Sequence, residues 1–268
     1  MAIGAADPTG GSGLQADILT LASMGCHPLS VLTTVTIQDT AGVEDVLTLD
    51  AEWVSGQART VLQDIPVSAF KLGMLGSVEM IAAIAEIIAD YPNVPLVMDA
   101  ALVAWRGRRL AGESLRFAAR ELLIPRATVL TAGRSEMRRL ALGRADEDDE
   151  TGDSGVEDCA QRLIDRGARY VLATGIRENA SQVVNILFGR QGRVRTDSWE
   201  RLQGSYHGHG CTLAAAIAAN LANGADLEEA VLDAQEYAWR ALAAGFRPGM
   251  GRYLPDRFFW AREAAGEL

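Results

Sequence analysis

The segment Asp7-Pro8-Thr9-Gly10-Gly11-Ser12-Gly13-Leu14-Gln15-Ala16-Asp17 decides how the rest of the chain is read. Its clustered glycines are followed at once by apolar side chains at helical spacing, so a tight turn opens a helix over residues 14–24. Glycines let the backbone approach a ligand closely, and the helix start offers unpaired N–H groups and a positive dipole end. The lysine of a Walker loop is missing, as is the dinucleotide-binding spacing. The segment alone leaves two readings open, a plain strand-to-helix connector and a ligand loop.

A second glycine-rich segment, Gly204-Ser205-Tyr206-His207-Gly208-His209-Gly210-Cys211-Thr212, runs into the small-residue stretch Leu213-Ala214-Ala215-Ala216-Ile217-Ala218-Ala219. A helix is predicted over residues 211–222. Its start places a thiol beside several free backbone N–H groups, a geometry suited to charge developing on a transferred phosphoryl group. There the dipole would stabilise a Cys211 thiolate, and a nearby protonated histidine would lower its pKa further, so Cys211 is a candidate base. The alternative is a small buried hydrophobe with His207 and His209 as ordinary loop residues.

Between these segments, short β-branched or apolar runs alternate with longer stretches of helical period, the pattern of βαβ units around a mostly parallel sheet. Strands are predicted over residues 30–36, 67–72, 96–98, 128–131 and 170–173. Helices are predicted over 14–24, 52–63, 78–90, 115–122, 156–166 and 227–244, the last N-capped by Asp226. Residues 181–188 and 193–196, joined by a glycine turn, read as an antiparallel hairpin at the sheet's edge. No repeat emerges, and the whole chain, residues 1–268, is expected to form one domain. The acidic run Asp146-Glu147-Asp148-Asp149-Glu150 reads as a solvated loop without function.

Composition narrows the function. Apolar residues make up 49% of the chain and charged residues 22%, enough to bury a large core. A net charge of −10 disfavours nucleic acid and anionic lipid as partners, while leaving room for a local anion site of backbone amides. Cys26, Cys159 and Cys211 form no close pair and leave one over in any disulfide scheme, which suits a reducing, cytoplasmic setting. The most apolar run, residues 80–89, is too short to span a bilayer. Met1-Ala2-Ile3-Gly4 has the features of no secretory leader. Lys71 is the only lysine.

The first segment resembles the DPSGGAGIQAD signature of hydroxymethylpyrimidine and phosphomethylpyrimidine kinases, which belong to the ribokinase-like superfamily. In order along the chain, Ser30-Val31-Leu32-Thr33 with Gln38-Asp39-Thr40 and Gly42-Val43 is similar to that family's SVITALTAQNTxGV. Lys71-Leu72-Gly73-Met74-Leu75 is similar to KxGML, and Gly208-His209-Gly210-Cys211-Thr212 to GTGCT. The resemblance implies a three-layer α/β/α sandwich, usually dimeric, that moves the ATP γ-phosphoryl group to the hydroxymethyl or phosphate of an aminopyrimidine. By that carry-over Cys211 is the general base, and Gly208, His209, Gly210 and Cys211 form the anion hole. Gln38 meets the pyrimidine edge, Met74 packs on its ring and Asp17 lies in the substrate pocket.

The nucleotide half departs from the pattern. The family's DPVM stands as Asp99-Ala100-Ala101-Leu102, and the lysine that usually follows is Trp105. TPNxxEA stands as Thr131-Ala132-Gly133-Arg134-Ser135-Glu136-Met137, and KGGH as Ala173-Thr174-Gly175-Ile176. The resemblance leaves Thr174, Gly175 and Glu136 for ATP, and Asp99 and Glu136 for a water-mediated Mg²⁺ shell. Each lost cation would cost rate in phosphoryl transfer. Two rivals therefore stand beside the kinase: a pyrimidine-binding regulatory homologue with weakened catalysis, and a pyridoxal-type kinase of the same superfamily.

Overall fold

Strand β1 (Ala2–Ala6) is an interior strand of a sheet whose other strands are β2 (Ser30–Gln38), β3 (Val43–Thr48), β4 (Phe70–Leu72), β5 (Leu96–Asp99), β6 (Val129–Gly133), β7 (Tyr170–Ile176), β8 (Gln182–Gly189) and β9 (Gly192–Glu200). The computed structural model describes residues 1–103, 112–142, 155–176 and 181–265; Trp105 and the acidic run lie outside them. The sheet order is β3-β2-β1-β4-β5-β6-β7-β8-β9, parallel from β2 to β7. The expected hairpin, β8 with β9, forms one antiparallel edge. The other edge is antiparallel too, because β3 folds back on β2.

Strand alternation sorts the core into two layers. Ile3, Phe70, Leu72, Met98, Leu130 and Val171 face one side, where they pack with α2 (Ala51–Asp64), α3 (Val78–Ala89), α5 (Arg134–Leu142) and α6 (Val156–Asp165). Val97, Val129, Leu172 and Leu187 face the other, against α7 (His209–Ala222) and α8 (Leu227–Ala243), with α1 (Gly13–Ser23) alongside α7. Successive side chains point to opposite faces, so strands buried on both faces are apolar almost throughout, and each large aliphatic sealed this way contributes about 1.5–3 kcal/mol. In β4, Lys71 lies between the fully buried Phe70 and Leu72, so its side chain projects to the opposite side, toward α1 and α7.

Helix α7 buries every residue from Thr212 to Ala219. Its alanines let the backbone settle closely onto β4 and β5. It starts at His209, two residues before the predicted start, so Cys211 lies inside the first turn. The predicted helix over 115–122 is interrupted: α4 (Glu113–Ala118) gives way to a π-helical turn over residues 119–123. The Ser77 hydroxyl accepts the Met80 N–H at 3.1 Å and caps α3, a contact worth about 1 kcal/mol. A last helix, α9 (Phe259–Ala265), closes the described chain.

Candidate active site

The carboxyl ends of β2, β1, β4 and β5 lie side by side, and the expected substrate-side residues stand on or just after them. This is the crevice where open α/β sheets place ligands, beside a strand whose neighbours run off in opposite directions. Gln38 ends β2, the glycine loop follows β1, Met74 follows β4 and Asp99 ends β5.

Asp7 organises the glycine loop. Its Oδ1 accepts the Thr9 N–H at 2.8 Å and the Thr9 hydroxyl at 2.7 Å. Its Oδ2 accepts the Ser12 N–H at 2.7 Å, the Ser12 hydroxyl at 2.9 Å and His207 Nε2–H at 2.9 Å. Burial would raise its pKa, but the bonds from His207 and Thr9 outweigh burial and hold the carboxyl well below the usual range. The Gln38 amide nitrogen stands 3.4 Å from the same His207 ring nitrogen. His207 is therefore a partner of Asp7, with Gln38 beside it, on the substrate side of the loop.

The two glycine turns touch. Gly208 is the N-cap of α7 at φ +86°, and a Cβ on it would fall 1.6 Å from the Gly11 carbonyl oxygen. One step further into α7, a Cβ on Gly210 would stand 3.2 Å from Asp99 Oδ2. Glycine at these positions brings the start of α7 against both the loop and the end of β5.

Beneath this contact lies a charged cluster. Lys71 Nζ lies 2.8 Å from the Asp17 carboxylate, with the two side chains 1% and 0% exposed. Burial opposes the ammonium, but Asp17, Cys211 and Asp99 around it push its pKa above the ordinary value and keep it charged. The Cys211 thiol shares this environment, with the Gly13 N–H directed at it. Burial pushes the thiol up to about 11, while Lys71 pulls the other way. This corrects the expectation of a thiolate favoured by the helix dipole and a histidine: His207 is engaged by Asp7, and desolvation exceeds what the helix start supplies. Asp17 is corrected as well. Expected in the substrate pocket, it has no solvent-facing surface, and its carboxylate is engaged with Lys71. His209, at the first position of α7, is exposed. Met74 is partly buried, its carbonyl taken by the Thr33 hydroxyl at 2.7 Å.

On the nucleotide side, Gly133 at the end of β6 is in register with Thr174 of β7. Glu136 Oε2 accepts the Gly133 N–H at 2.9 Å and so caps α5 from inside its first turn. Gly175 adopts φ +69° at an irregularity in β7, and its N–H is taken by Asn185 Oδ1 at 2.9 Å. Asn185 continues to the buried Gln235, which donates to Asp197. Asp99 Oδ1 accepts the Ala101 N–H at 3.0 Å. Among the described residues no group of three or more His, Cys, Asp or Glu side chains would hold a metal ion by itself. The donors present, Asp99 and Glu136, fit an ion that arrives on phosphate oxygens and keeps most of its waters.

Sequence reasoning missed two residues here. Asp7 carried a local signal, an aspartate followed by threonine and serine whose hydroxyls and amides it could cap. Arg257 carried none. It is 4% exposed, and its Nη1, Nη2 and Nε donate to Gly10 O at 3.1 Å, Gly11 O at 2.6 Å and Thr212 Oγ1 at 3.1 Å.

Residues 7–256 match the family model described as phosphomethylpyrimidine kinase. The chain belongs to that family. A hydroxymethylpyrimidine/phosphomethylpyrimidine kinase of Streptomyces coelicolor is 36% identical over 94% of this chain and 91% of its own length. A thiamine biosynthesis bifunctional protein of Geobacter sulfurreducens is 36% identical over 94% of this chain and 50% of its own. Among solved structures, pyridoxal kinase from Staphylococcus aureus in complex with AMP-PCP superposes with a TM-score of 0.84 at 27% identity, covering 97% of this chain and 93% of that one. The ribokinase-like α/β/α fold and the family resemblance are thus borne out.

Proposed function

We propose that this chain transfers the γ-phosphoryl group of ATP to 4-amino-5-hydroxymethyl-2-methylpyrimidine, to its monophosphate, or to both, for thiamine biosynthesis in the cytoplasm. The contact between Gly208 and Gly11, with Cys211 in the first turn of α7, carries the reading. It sets the start of α7, with its unpaired amides, against the glycine loop, as stabilisation of a phosphoryl group in flight requires. The relatives' names supply the substrate class.

In this reading the amides of Gly208, His209, Gly210 and Cys211 cradle the transferring phosphoryl group. Cys211, in its thiolate form, accepts the hydroxyl proton and becomes the thiol, and Lys71 supplies the positive charge that favours the thiolate beforehand. Asp17 acts through Lys71. Gln38, held near His207, meets the pyrimidine edge, and Met74 packs on the ring. Thr174, Gly175 and Glu136 border the nucleotide. Asp99 and Glu136 would hold Mg²⁺ through water, where the ion neutralises charge on the phosphates. The whole chain, residues 1–268, works as one kinase domain.

We further read the chain as a homodimer. Val35 and Leu47 are register partners across β2 and β3, so they share a face with Ile37, and Trp53 of α2 adds to the exposed apolar surface there. Such a patch suits a second copy.

A coupled assay with purified protein, the aminopyrimidine alcohol, ATP and Mg²⁺ tests the function, with pyridoxal as competing substrate. ATP-dependent turnover of the pyrimidine is expected. Tight pyrimidine binding without turnover would instead identify a binding homologue. Preferential turnover of pyridoxal, the reading favoured by the Staphylococcus aureus likeness, would identify a pyridoxal-type kinase.

A further inference from the structure

Arg257 lies one residue beyond the family match and 246 residues from Gly11, yet its guanidinium reaches into the contact between the two glycine turns. Its partners there are neutral oxygens: two loop carbonyls and the Thr212 hydroxyl. Burial lowers its pKa, and the nearby Cys211, Tyr237, Asp17 and Asp7 counter the effect. A cation so placed costs free energy unless each of its donors is used, and what it binds here is specific.

In a trans peptide the C=O and N–H point in opposite directions. The Gly10 carbonyl held by Arg257 belongs to the same peptide unit as the Gly11 N–H, which donates to Thr9 Oγ1 at 3.1 Å. Thr9 Oγ1 in turn donates to Asp7. The Gly11 carbonyl, also held by Arg257, belongs to the same unit as the Ser12 N–H, which donates to Asp7 Oδ2. Two consecutive peptide units are thus gripped at both ends, on the N–H side by Asp7, directly or through the Thr9 hydroxyl, and on the C=O side by a cation. Both dipoles are aligned between Asp7 and Arg257. The third donor reaches Thr212, whose hydroxyl donates to Gly208 O at 2.9 Å. The arginine's own main chain is fixed by hydroxyl donors on two helices, Ser23 Oγ on α1 at 2.6 Å and Tyr237 Oη on α8 at 2.7 Å.

We propose that Arg257 is a positioning residue for phosphoryl transfer, locking the glycine loop against the first turn of α7 through two peptide units whose opposite ends are held by Asp7 and Thr9. The proposal rests on the kinase reading above and adds to it a residue outside the matched motifs. Displacement of reacting groups by about 1 Å costs on the order of 10²-fold in rate. Loss of the clamp therefore lowers kcat while leaving the KM values for pyrimidine and ATP little changed.

The test compares wild type, Arg257→Ala and Arg257→Lys. In Arg257→Ala kcat should fall on the order of 10²-fold, and added guanidinium ion at millimolar concentration should restore about tenfold of it. Arg257→Lys keeps the charge without the planar fork and should lie between. Hydrogen exchange should show the amides of residues 10–12 and 208–212 losing protection in Arg257→Ala. A kcat within about threefold of wild type, or a loss that tracks the unfolded fraction and ignores guanidinium, overturns the proposal. Should wild type itself fail to phosphorylate the pyrimidine, the functional reading fails, and unchanged exchange at residues 10–12 and 208–212 would separately overturn the clamp.

Discussion

Lys71 Nζ stands 2.8 Å from the Asp17 carboxylate with both side chains closed off from solvent, and this is the ammonium that faces Cys211. Breaking a buried pair from one side leaves an uncompensated charge. Lys71→Met or Asp17→Leu alone should therefore destabilise the fold by about 3–5 kcal/mol, while the double variant regains most of that loss. Urea unfolding of the three variants measures it. Additive losses would mean that the two side chains are not coupled.

The thiol held up at about 11 gives the reaction a pH signature. A base that is protonated at neutrality becomes available tenfold more with each pH unit, so log kcat/KM for the alcohol should rise with unit slope between roughly pH 7 and 10. The monophosphate is already an anion and needs no base, so its rate should stay level over that range. Cys211→Ala should remove the slope for the alcohol and spare the second phosphorylation by comparison. Parallel profiles for both acceptors would remove Cys211 from the role of base.

Asp7 makes a stability prediction whose sign follows from its depressed pKa. A carboxyl held below its unfolded value stabilises the fold fully above that value and loses the effect as pH falls toward the folded one. Asp7→Asn should thus cost about 3 kcal/mol near neutrality, where bonds to a charged acceptor are lost. The gap to wild type should narrow as pH drops below about 4, the ordinary carboxylate value. Thermal melts across that range provide the measurement. A gap independent of pH would show that the carboxylate's charge is not what holds the loop.

How far these features were legible in the chain depends on whether their cause is local. The runs in β5 and β6 read as strands because both faces are buried and nearly every residue is apolar. β1 is built of Ala2, Gly4, Ala5 and Ala6 around Ile3, small residues that signal nothing until α1 packs over them. β3 hides behind Glu44 and Asp45, which suit an exposed edge and break the apolar pattern. In α5 only Met137, Leu140 and Ala141 are buried, a narrow stripe among arginines. The glycine turns were legible as a pair because each carries its own motif. The clamp was not, because Arg257 acts on partners at the far end of the chain. The thiol's pKa followed neighbours on α1, β4 and β5 that no inspection of residues 204–212 reveals.

Gly208 tests the contact on which the site depends. An alanine there meets two separate costs. The left-handed backbone at φ +86° disfavours any side chain by about 1–2 kcal/mol, and the new methyl would fall on the Gly11 carbonyl, so one of the two turns has to move. Gly25, in the turn after α1, supplies the control: at φ +80° it bears the same backbone penalty, but a Cβ there meets nothing within 4 Å. Gly25→Ala should lose stability with little loss of turnover per folded molecule, whereas Gly208→Ala should lose on the order of 10²-fold in kcat as well, since the amide cradle is displaced from the acceptor. Steady-state rates normalised to the folded fraction separate the two. Equal kcat in both variants would mean that the approach of α7 to the glycine loop is packing alone, without consequence for the transferred group.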